Sequence, residues 1–176
     1  DQIHNGEPHQ SNFGYAYAKR MLEVHSRSIR KQHGLKYITA VPNNVYGEND
    51  NYDLENGHVI PSMIRKFYEA KCRGRDVVLW GDGSPLREFT LSGDIALALL
   101  VLLENYDEAL PVNIGHANQK SIKEVANIIS EQIGFKGKII WDTSMPTGQL
   151  KKPSSNKKFL DMCPNFCYTD IEVGLK

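Results

Sequence analysis

The chain has 176 residues, and its 21 lysines and arginines equal its 21 aspartates and glutamates. The resulting net charge of zero argues against a nucleic-acid-binding surface, and 40% apolar residues indicate a folded globular domain rather than a disordered chain. The longest apolar run, over 95–103, is too short to span a bilayer. The first residues lack the basic and apolar stretches of a signal peptide, and three cysteines suit a reducing compartment, so we expect a cytoplasmic protein.

Apolar spacing and end signals predict four helices in chain order. The first covers 13–33 and is closed by Gly34, and the second covers 59–71. The third, over 94–104, is apolar on most faces and is therefore expected to be buried. A Ser-x-x-Glu capping box at Ser121 opens the fourth, which Gly134 ends, and the similar pattern over 169–172 predicts one more helix start.

Short apolar runs predict strands between these helices, over 37–41, 76–80, 86–91, 112–115 and 138–141. A Gly-Asp-Gly-Ser-Pro turn joins the second and third runs, which we expect to be partners. The polar segments 43–57 and 145–158 are predicted to be loops, the second one a mobile loop or linker. The alternation of helices and strands predicts an α/β fold with at least part of a parallel sheet.

Tyr15 and Lys19 are four residues apart and share one face of the first predicted helix. An ammonium beside a phenol favours the phenolate, and such a tyrosine can exchange a proton with a carbonyl oxygen during hydride transfer. The spacing also arises by chance, so a plain surface pair is the alternative. His58, just before the second helix, can supply a proton near neutral pH, or it can be a capping or surface residue. No pair of histidines has metal-ligand spacing, and we expect no metal.

Several segments together carry a family resemblance. The segments 11–21 and 40–47 resemble the active-site helix and the nicotinamide turn of extended short-chain dehydrogenases/reductases. The chain is further similar to one family among them, GDP-L-fucose synthase (GDP-4-keto-6-deoxy-D-mannose 3,5-epimerase-4-reductase), especially its animal members. The segments that carry this second resemblance are 3–6, 56–61, 78–89 and 121–124. The matching segments occur in order over nearly the whole chain.

The resemblance implies roles for particular residues. Tyr15 would give a proton to the oxygen at carbon 4, Lys19 would hold the nicotinamide ribose, and His58 would be the epimerisation acid close to the cofactor. The turn that would line NADP(H), largely through backbone groups, consists of Pro42, Asn43, Asn44 and Val45. Asn43 stands where the family usually has threonine, which puts a hydroxyl contact there in question.

The resemblance also implies contacts with the GDP-sugar, which would involve Lys66, Trp80, Arg87 and Lys152. Each has an ordinary alternative: Lys66 and Lys152 as solvated lysines, and Trp80 as a core residue. Arg87, a potential pyrophosphate clamp, has as its alternative a surface ion pair with Glu88 or Asp82. Thr147 replaces the aspartate that the family usually has.

The expected domain organisation follows from the same resemblance. Residues 1–57 would form the C-terminal part of a Rossmann-type dinucleotide-binding domain. Residues 58–176 would form mainly a smaller α/β substrate domain, with some segments returning to the sheet. The glycine-rich phosphate loop, the active-site serine and the catalytic cysteine of the family have no counterpart here, so we expect a piece of a longer enzyme. The family forms dimers through the Tyr15 helix, which implies a homodimer.

Two alternatives stay open. Another nucleotide-sugar 4-epimerase or dehydratase of the same superfamily would keep Tyr15 and Lys19 without needing His58, and product analysis separates it from the first interpretation. A non-catalytic nucleotide-sugar-binding module is the second alternative. A glycine-rich strand–turn–helix upstream of the chain would argue against that module.

Overall fold

A computed structural model describes residues 3–145 and 147–176. The helices over these residues are α1 (Phe13–His33), α2 (Val59–Arg73), α3 (Ser92–Asn105), α4 (Ile122–Ile133), α5 (Lys157–Met162) and α6 (Ile171–Gly174). The strands are β1 (Ala40–Pro42), β2 (Asn44–Tyr46), β3 (Val77–Trp80), β4 (Leu86–Leu91), β5 (Val112–Ile114), β6 (Gln119–Ser121) and β7 (Ile139–Asp142). Within the described ranges, no helix combines the length and the apolar character needed to cross a membrane.

The strands form three small sheets. β1 pairs with β5 and β3 pairs with β7, both in parallel. The third sheet has the order β2-β4-β6, with β2 parallel and β6 antiparallel to the central strand. The predicted α/β fold with parallel strands is therefore confirmed.

The expected pairing of the runs 76–80 and 86–91 is wrong. The two strands exist, but β3 pairs with β7 and β4 lies between β2 and β6. The turn between them redirects the chain from one sheet to another, and Gly81 and Gly83 adopt the left-handed backbone conformation there. The segment predicted as a loop over 43–57 also contains β2, and the polar stretch 145–158 runs into α5.

The helix ends follow the predicted signals at several positions. α1 ends at Gly34 and α4 at Gly134, both left-handed, and α4 begins with the complete Ser121–Glu124 capping box. The helix start predicted over 169–172 is confirmed, because α6 begins at Ile171, but the capping box itself is not formed in the described structure. α6 begins after Asp170 with no side-chain cap bond in the described structure, because the amide and hydroxyl of Thr169 donate to the buried Asp94 instead.

Two apolar cores hold the elements together. The larger core joins α2, α4, β3 and the aromatic pair Phe67 and Phe135. The smaller core packs α3 and α5 against the β1–β5 sheet around Leu102 and Phe159. The prediction that α3 is buried on most faces is wrong: Leu97, Leu100 and Leu103 are each more than half exposed. The helix buries one stripe against the sheet and leaves the opposite one uncovered in this chain.

Tyr46 places a polar group in the larger core. Its side chain is 3% exposed, and its hydroxyl has no hydrogen-bond partner among the described residues. Burial, with a further contribution from the Asp94 carboxylate, raises the pKa of Tyr46 to about 12. The neutral phenol is thus an unsatisfied donor, which costs free energy of folding.

We expect Tyr46→Phe to raise the free energy of unfolding by about 1 kcal/mol, because the substitution removes only the unpaired hydroxyl. Urea unfolding of the chain measures this. Tyr106→Phe is the matched control: that hydroxyl donates to the Leu110 carbonyl and accepts from Lys158, so its loss should destabilise. A Tyr46→Phe chain as destabilised as the control would contradict the assignment.

Candidate active site

A cavity of about 1020 Å³ lies between α1, the β1–β2 region and the start of α2. Its walls include Tyr15, Lys19, residues 38–46 and residues 57–61. The predicted catalytic and cofactor-lining residues therefore face one space, although they come from three separate parts of the sequence. We call it the α1–β2 cavity.

One face of α1 supplies Tyr15 and Lys19 to this cavity. The Lys19 ammonium lies 5.5 Å from the centroid of the Tyr15 ring. Tyr15 is 68% exposed, so its hydroxyl is accessible to a molecule that enters the cavity. The geometry allows a cation to stabilise negative charge on the phenol oxygen while that oxygen exchanges a proton.

The 42–45 turn forms the opposite wall. Asn43 accepts a hydrogen bond from the Thr90 hydroxyl at 2.6 Å and donates to the His116 carbonyl at 3.0 Å. Its amide is thereby occupied by protein groups, and a side chain at Gly115 would overlap it. Asn44 donates to the Glu88 carbonyl at 2.7 Å. The amide side chains fix the turn, which leaves the backbone as the part that can meet a ligand.

His58 occupies the N-cap position of α2 but forms no side-chain cap bond within the described structure. Its imidazole is exposed, and Nδ1 lies 3.4 Å from the Asp50 carboxylate. The alternative of a helix-capping histidine is therefore not supported. The ring borders the α1–β2 cavity and can deliver a proton into it.

The loop before His58 is held by its own polar residues. The Asp53 carboxylate accepts from the backbone amides of Asn56 and Glu55, and these hydrogen bonds lower the pKa of Asp53. Gly57 sits against the carbonyls of residues 51 and 53, where any side chain would collide. The loop therefore has a defined path up to the histidine.

The residues predicted to bind the nucleotide sugar lie outside the α1–β2 cavity. The Lys66 ammonium is 5.7 Å from the Trp80 ring centroid, and Trp80 is 62% exposed rather than part of the core. These two residues form a cation–aromatic pair on the surface where β3 ends.

Arg87 and Lys152 lie on neighbouring segments. β4 begins beside residues 150 and 151, and Gly148 approaches the Arg87 guanidinium. Thr147, in turn, covers Gly81, the residue after Trp80. In the described structure Arg87 forms no ion pair with Glu88 or Asp82 and donates to its neighbouring carbonyl at Leu86. Contacts at 81, 147 and 148 therefore bring the segments that carry Trp80, Arg87 and Lys152 close together.

Two buried carboxylates near the cavity, Glu23 and Glu88, were not predicted from the sequence. Glu23, 1% exposed, lies one helical turn beyond Lys19 and binds His4 at 2.6 Å and Arg27 at 2.7 Å. Glu88, 2% exposed, lies behind the 42–45 turn. The 15–19–23 spacing could have indicated Glu23, whereas nothing in the local sequence distinguishes Glu88 from an exposed glutamate.

A family model described as "NAD dependent epimerase/dehydratase family" matches residues 1–115 of the chain. The chain belongs to this family. The parallel strands and the Tyr15–Lys19 helix are therefore parts of an epimerase/dehydratase fold.

Curated relatives within the epimerase/dehydratase family resemble almost the whole chain. A GDP-L-fucose synthase of Dictyostelium discoideum is 44% identical over 99% of this chain and 55% of that protein. A probable GDP-L-fucose synthase of Drosophila melanogaster is 35% identical over 98% and 57%, respectively. The chain thus spans about half the length of the curated relatives it matches.

A solved structure also resembles nearly the whole of this chain and about half of its own. A GDP-L-fucose synthetase from Naegleria fowleri bound to NADP superposes with a TM-score of 0.94 at 40% identity. That match covers 98% of this chain and 56% of the other.

Proposed function

We propose that this epimerase/dehydratase chain acts within an NADPH-dependent enzyme that converts GDP-4-keto-6-deoxy-D-mannose to GDP-L-fucose. The enzyme would epimerise carbons 3 and 5 and reduce carbon 4. The observation that carries the proposal is the convergence of Tyr15, Lys19, the 42–45 turn and His58 on one cavity. Relatives named GDP-L-fucose synthase, alike over nearly the whole chain, support the same reaction.

The α1–β2 cavity fits the nicotinamide–ribose end of NADP(H). Its walls offer a lysine ammonium and backbone polar groups from a turn whose side chains are already bonded elsewhere. When bound, NADPH would supply the hydride for carbon 4. In this assignment Lys19, Pro42, Asn43, Asn44, Val45 and His58 contact the cofactor.

Tyr15 and Lys19 are proposed to complete the reduction. The Tyr15 hydroxyl donates its proton to the carbon-4 oxygen as negative charge develops there, which leaves a phenolate on the tyrosine. The Lys19 ammonium, 5.5 Å from the ring, stabilises that phenolate.

His58 is proposed to serve the epimerisation. The keto group acidifies the C–H bonds on the neighbouring carbons. A base, the catalytic cysteine that the family carries outside this chain, would take the proton and leave an enolate. A proton returned to the opposite face inverts the carbon, and the exposed imidazole at the cavity rim can return it.

The surface formed by Lys66, Trp80, Arg87 and Lys152 is proposed to hold the GDP part of the substrate. Two lysines and an arginine supply positive charge for a diphosphate, and the arginine can bind two oxygens at once. The exposed indole of Trp80 offers an apolar face beside them.

The full-length protein is proposed to be a cytoplasmic homodimer. Phe13, Tyr17, Met21 and Val24 form an exposed apolar stripe on α1, on a different face from Tyr15 and Lys19. A second copy of the helix would cover this stripe. The three cysteines are free thiols, in keeping with a reducing compartment.

NADPH oxidation with the keto-sugar tests the proposal. We expect no turnover by the 176-residue chain alone. A chimaera that joins the N-terminal half of the Dictyostelium relative to this chain should be active. The reason is that the pyrophosphate of the cofactor binds at a helix N-terminus opened by a glycine-rich loop, and this sequence has no such loop.

GDP-L-fucose is the expected product of the chimaera. A different epimer or a dehydrated sugar would assign the chain to another enzyme of the family. Binding of the nucleotide sugar without turnover would favour a non-catalytic module. Turnover by the chain alone would refute the requirement for an N-terminal half.

A further inference from the structure

Glu88 is a buried carboxylate to which the proposed reaction assigns no role. It lies in β4 and is 2% exposed. Its Oε1 accepts from the Ser154 amide at 3.0 Å and the Gln119 side chain at 3.4 Å. Its Oε2 accepts from the Ser154 hydroxyl at 2.5 Å and the Asn43 amide at 3.5 Å. All four donors are uncharged, and an ionised carboxylate, which only accepts, matches every one of them.

Two of these donors come from segments with different proposed tasks. Asn43 belongs to the turn that lines the α1–β2 cavity. The hydroxyl of Thr90, which lies on the same face of β4 as Glu88, also donates a hydrogen bond to the Asn43 side chain. Ser154 lies two residues after Lys152, on the segment proposed to meet the GDP group. Glu88 is therefore a single side chain of β4 that accepts hydrogen bonds from both segments.

The segment with Ser154 is fastened at its other end to β5. The Asn156 amide donates to the Gly115 carbonyl at 2.7 Å, and the Asn113 amide donates to the Ser155 carbonyl at 3.1 Å. Residues 154–156 are thus fixed on both sides, whereas Lys151 and Lys152 are exposed. The position of the Lys152 backbone therefore depends on the hydrogen bonds that hold Ser154.

We propose that Glu88 is a positioning residue that sets the 42–45 turn and the Lys152 segment relative to each other through Asn43 and Ser154. The part of this inference that concerns catalysis rests on the proposed function. Glutamine at 88 keeps one acceptor oxygen, but in either orientation its N–H group would face the N–H of Ser154 or the N–H of Asn43. It therefore cannot accept from both of these groups, as the carboxylate does.

Amide hydrogen exchange on the 176-residue chain tests the physical link without any assumption about the reaction. Glu88→Gln should speed exchange about tenfold both in 43–46 and in 153–156, because hydrogen bonds to a charged group are lost. Asp94→Asn is the matched control, since Asp94 is a buried carboxylate that likewise accepts an amide and a hydroxyl from one residue, Thr169. Asp94→Asn should speed amide hydrogen exchange only near residue 169. If Glu88→Gln loosens only one of the two segments, or neither, the proposal fails.

Kinetics of the active chimaera test the consequence. Glu88→Gln should raise the KM for the GDP-sugar about tenfold while kcat stays within about threefold, because Tyr15 and Lys19 are untouched. Adding Ser154→Ala should change KM little further, since the two residues act through one contact. Asp94→Asn should leave KM within about twofold.

Wild-type constants for Glu88→Gln, or additive effects of the two substitutions, would overturn the catalytic part. A chimaera without turnover would instead refute the proposed function, and the exchange measurement would still decide the link.

Discussion

Tyr15→Phe in the active chimaera should lower kcat by about 10²–10⁴-fold, the usual contribution of a general acid. The ring stays in the cavity wall and only the proton donor is lost, so the KM for the GDP-sugar and the affinity for NADPH should change little. Steady-state NADPH oxidation with the keto-sugar gives both constants. A pre-steady-state measurement of the hydride step shows whether the loss lies in the chemistry.

Tyr68→Phe is the matched control for this loss. Tyr68 is exposed to a similar degree, 61% against 68%, but lies on α2 outside the cavity. Its kcat should equal that of the parent. A Tyr15→Phe enzyme with near-parental kcat would assign the proton to another group and leave Tyr15 with a packing role.

His58→Gln should slow the exchange of solvent deuterium into carbon 3 or carbon 5 of the substrate by about 10²-fold or more, with NADPH still bound. Glutamine keeps the polarity and approximate size of the side chain but cannot return a proton to an enolate. The reductive residues Tyr15 and Lys19 do not depend on the imidazole, so direct reduction of unepimerised keto-sugar should appear as a side product. NMR of the sugar follows both processes.

Two comparisons make the His58 result decisive. His25→Gln changes an exposed histidine on α1 that does not line the cavity, and it should exchange deuterium at the parental rate. The melting temperature of His58→Gln should also be unchanged, because the imidazole forms no cap bond to α2 in the described structure. Parental exchange at both carbons in His58→Gln would remove this residue from the mechanism.

The helices were the most predictable part of the fold because their signals are local. The span of α1 is confirmed from 13 to 33, and the box at Ser121 starts α4 as the sequence indicates. Both depend on residues within one turn of the helix end. A helix also starts at 169–172, but its predicted capping box is missing for an equally specific reason: Thr169 bonds to Asp94, a residue far away in the sequence.

Strand partners were not predictable from the same information. A short turn between two apolar runs suggested that they pair, but β3 aligns Val77 with Ile139 and β4 aligns Phe89 with Asn44. Packing of the helices over each sheet selects these partners, and a four-residue strand carries no record of that choice.

In the candidate site, too, features set by local sequence were predictable and features set by distant contacts were not. The spacing of Tyr15 and Lys19 predicts a shared helix face, and both line the cavity. Assignment of the 42–45 turn, His58 and the nucleotide surface needed the family resemblance. Glu88 was not predicted by either route because its partners, Asn43 and Ser154, lie 45 and 66 residues away in the sequence.

The parallel pairing also governs how the polypeptide can fold. Residue 40 aligns with residue 112, and residue 77 aligns with residue 139, so each sheet closes a long loop before it gains any ladder hydrogen bond. Within the described residues, no two consecutive strands form a hairpin that could act as an early nucleus. Such topologies fold slowly, and during synthesis β3 must wait for β7 to leave the ribosome. Until then the edges of the early strands are open to chaperones or to aggregation.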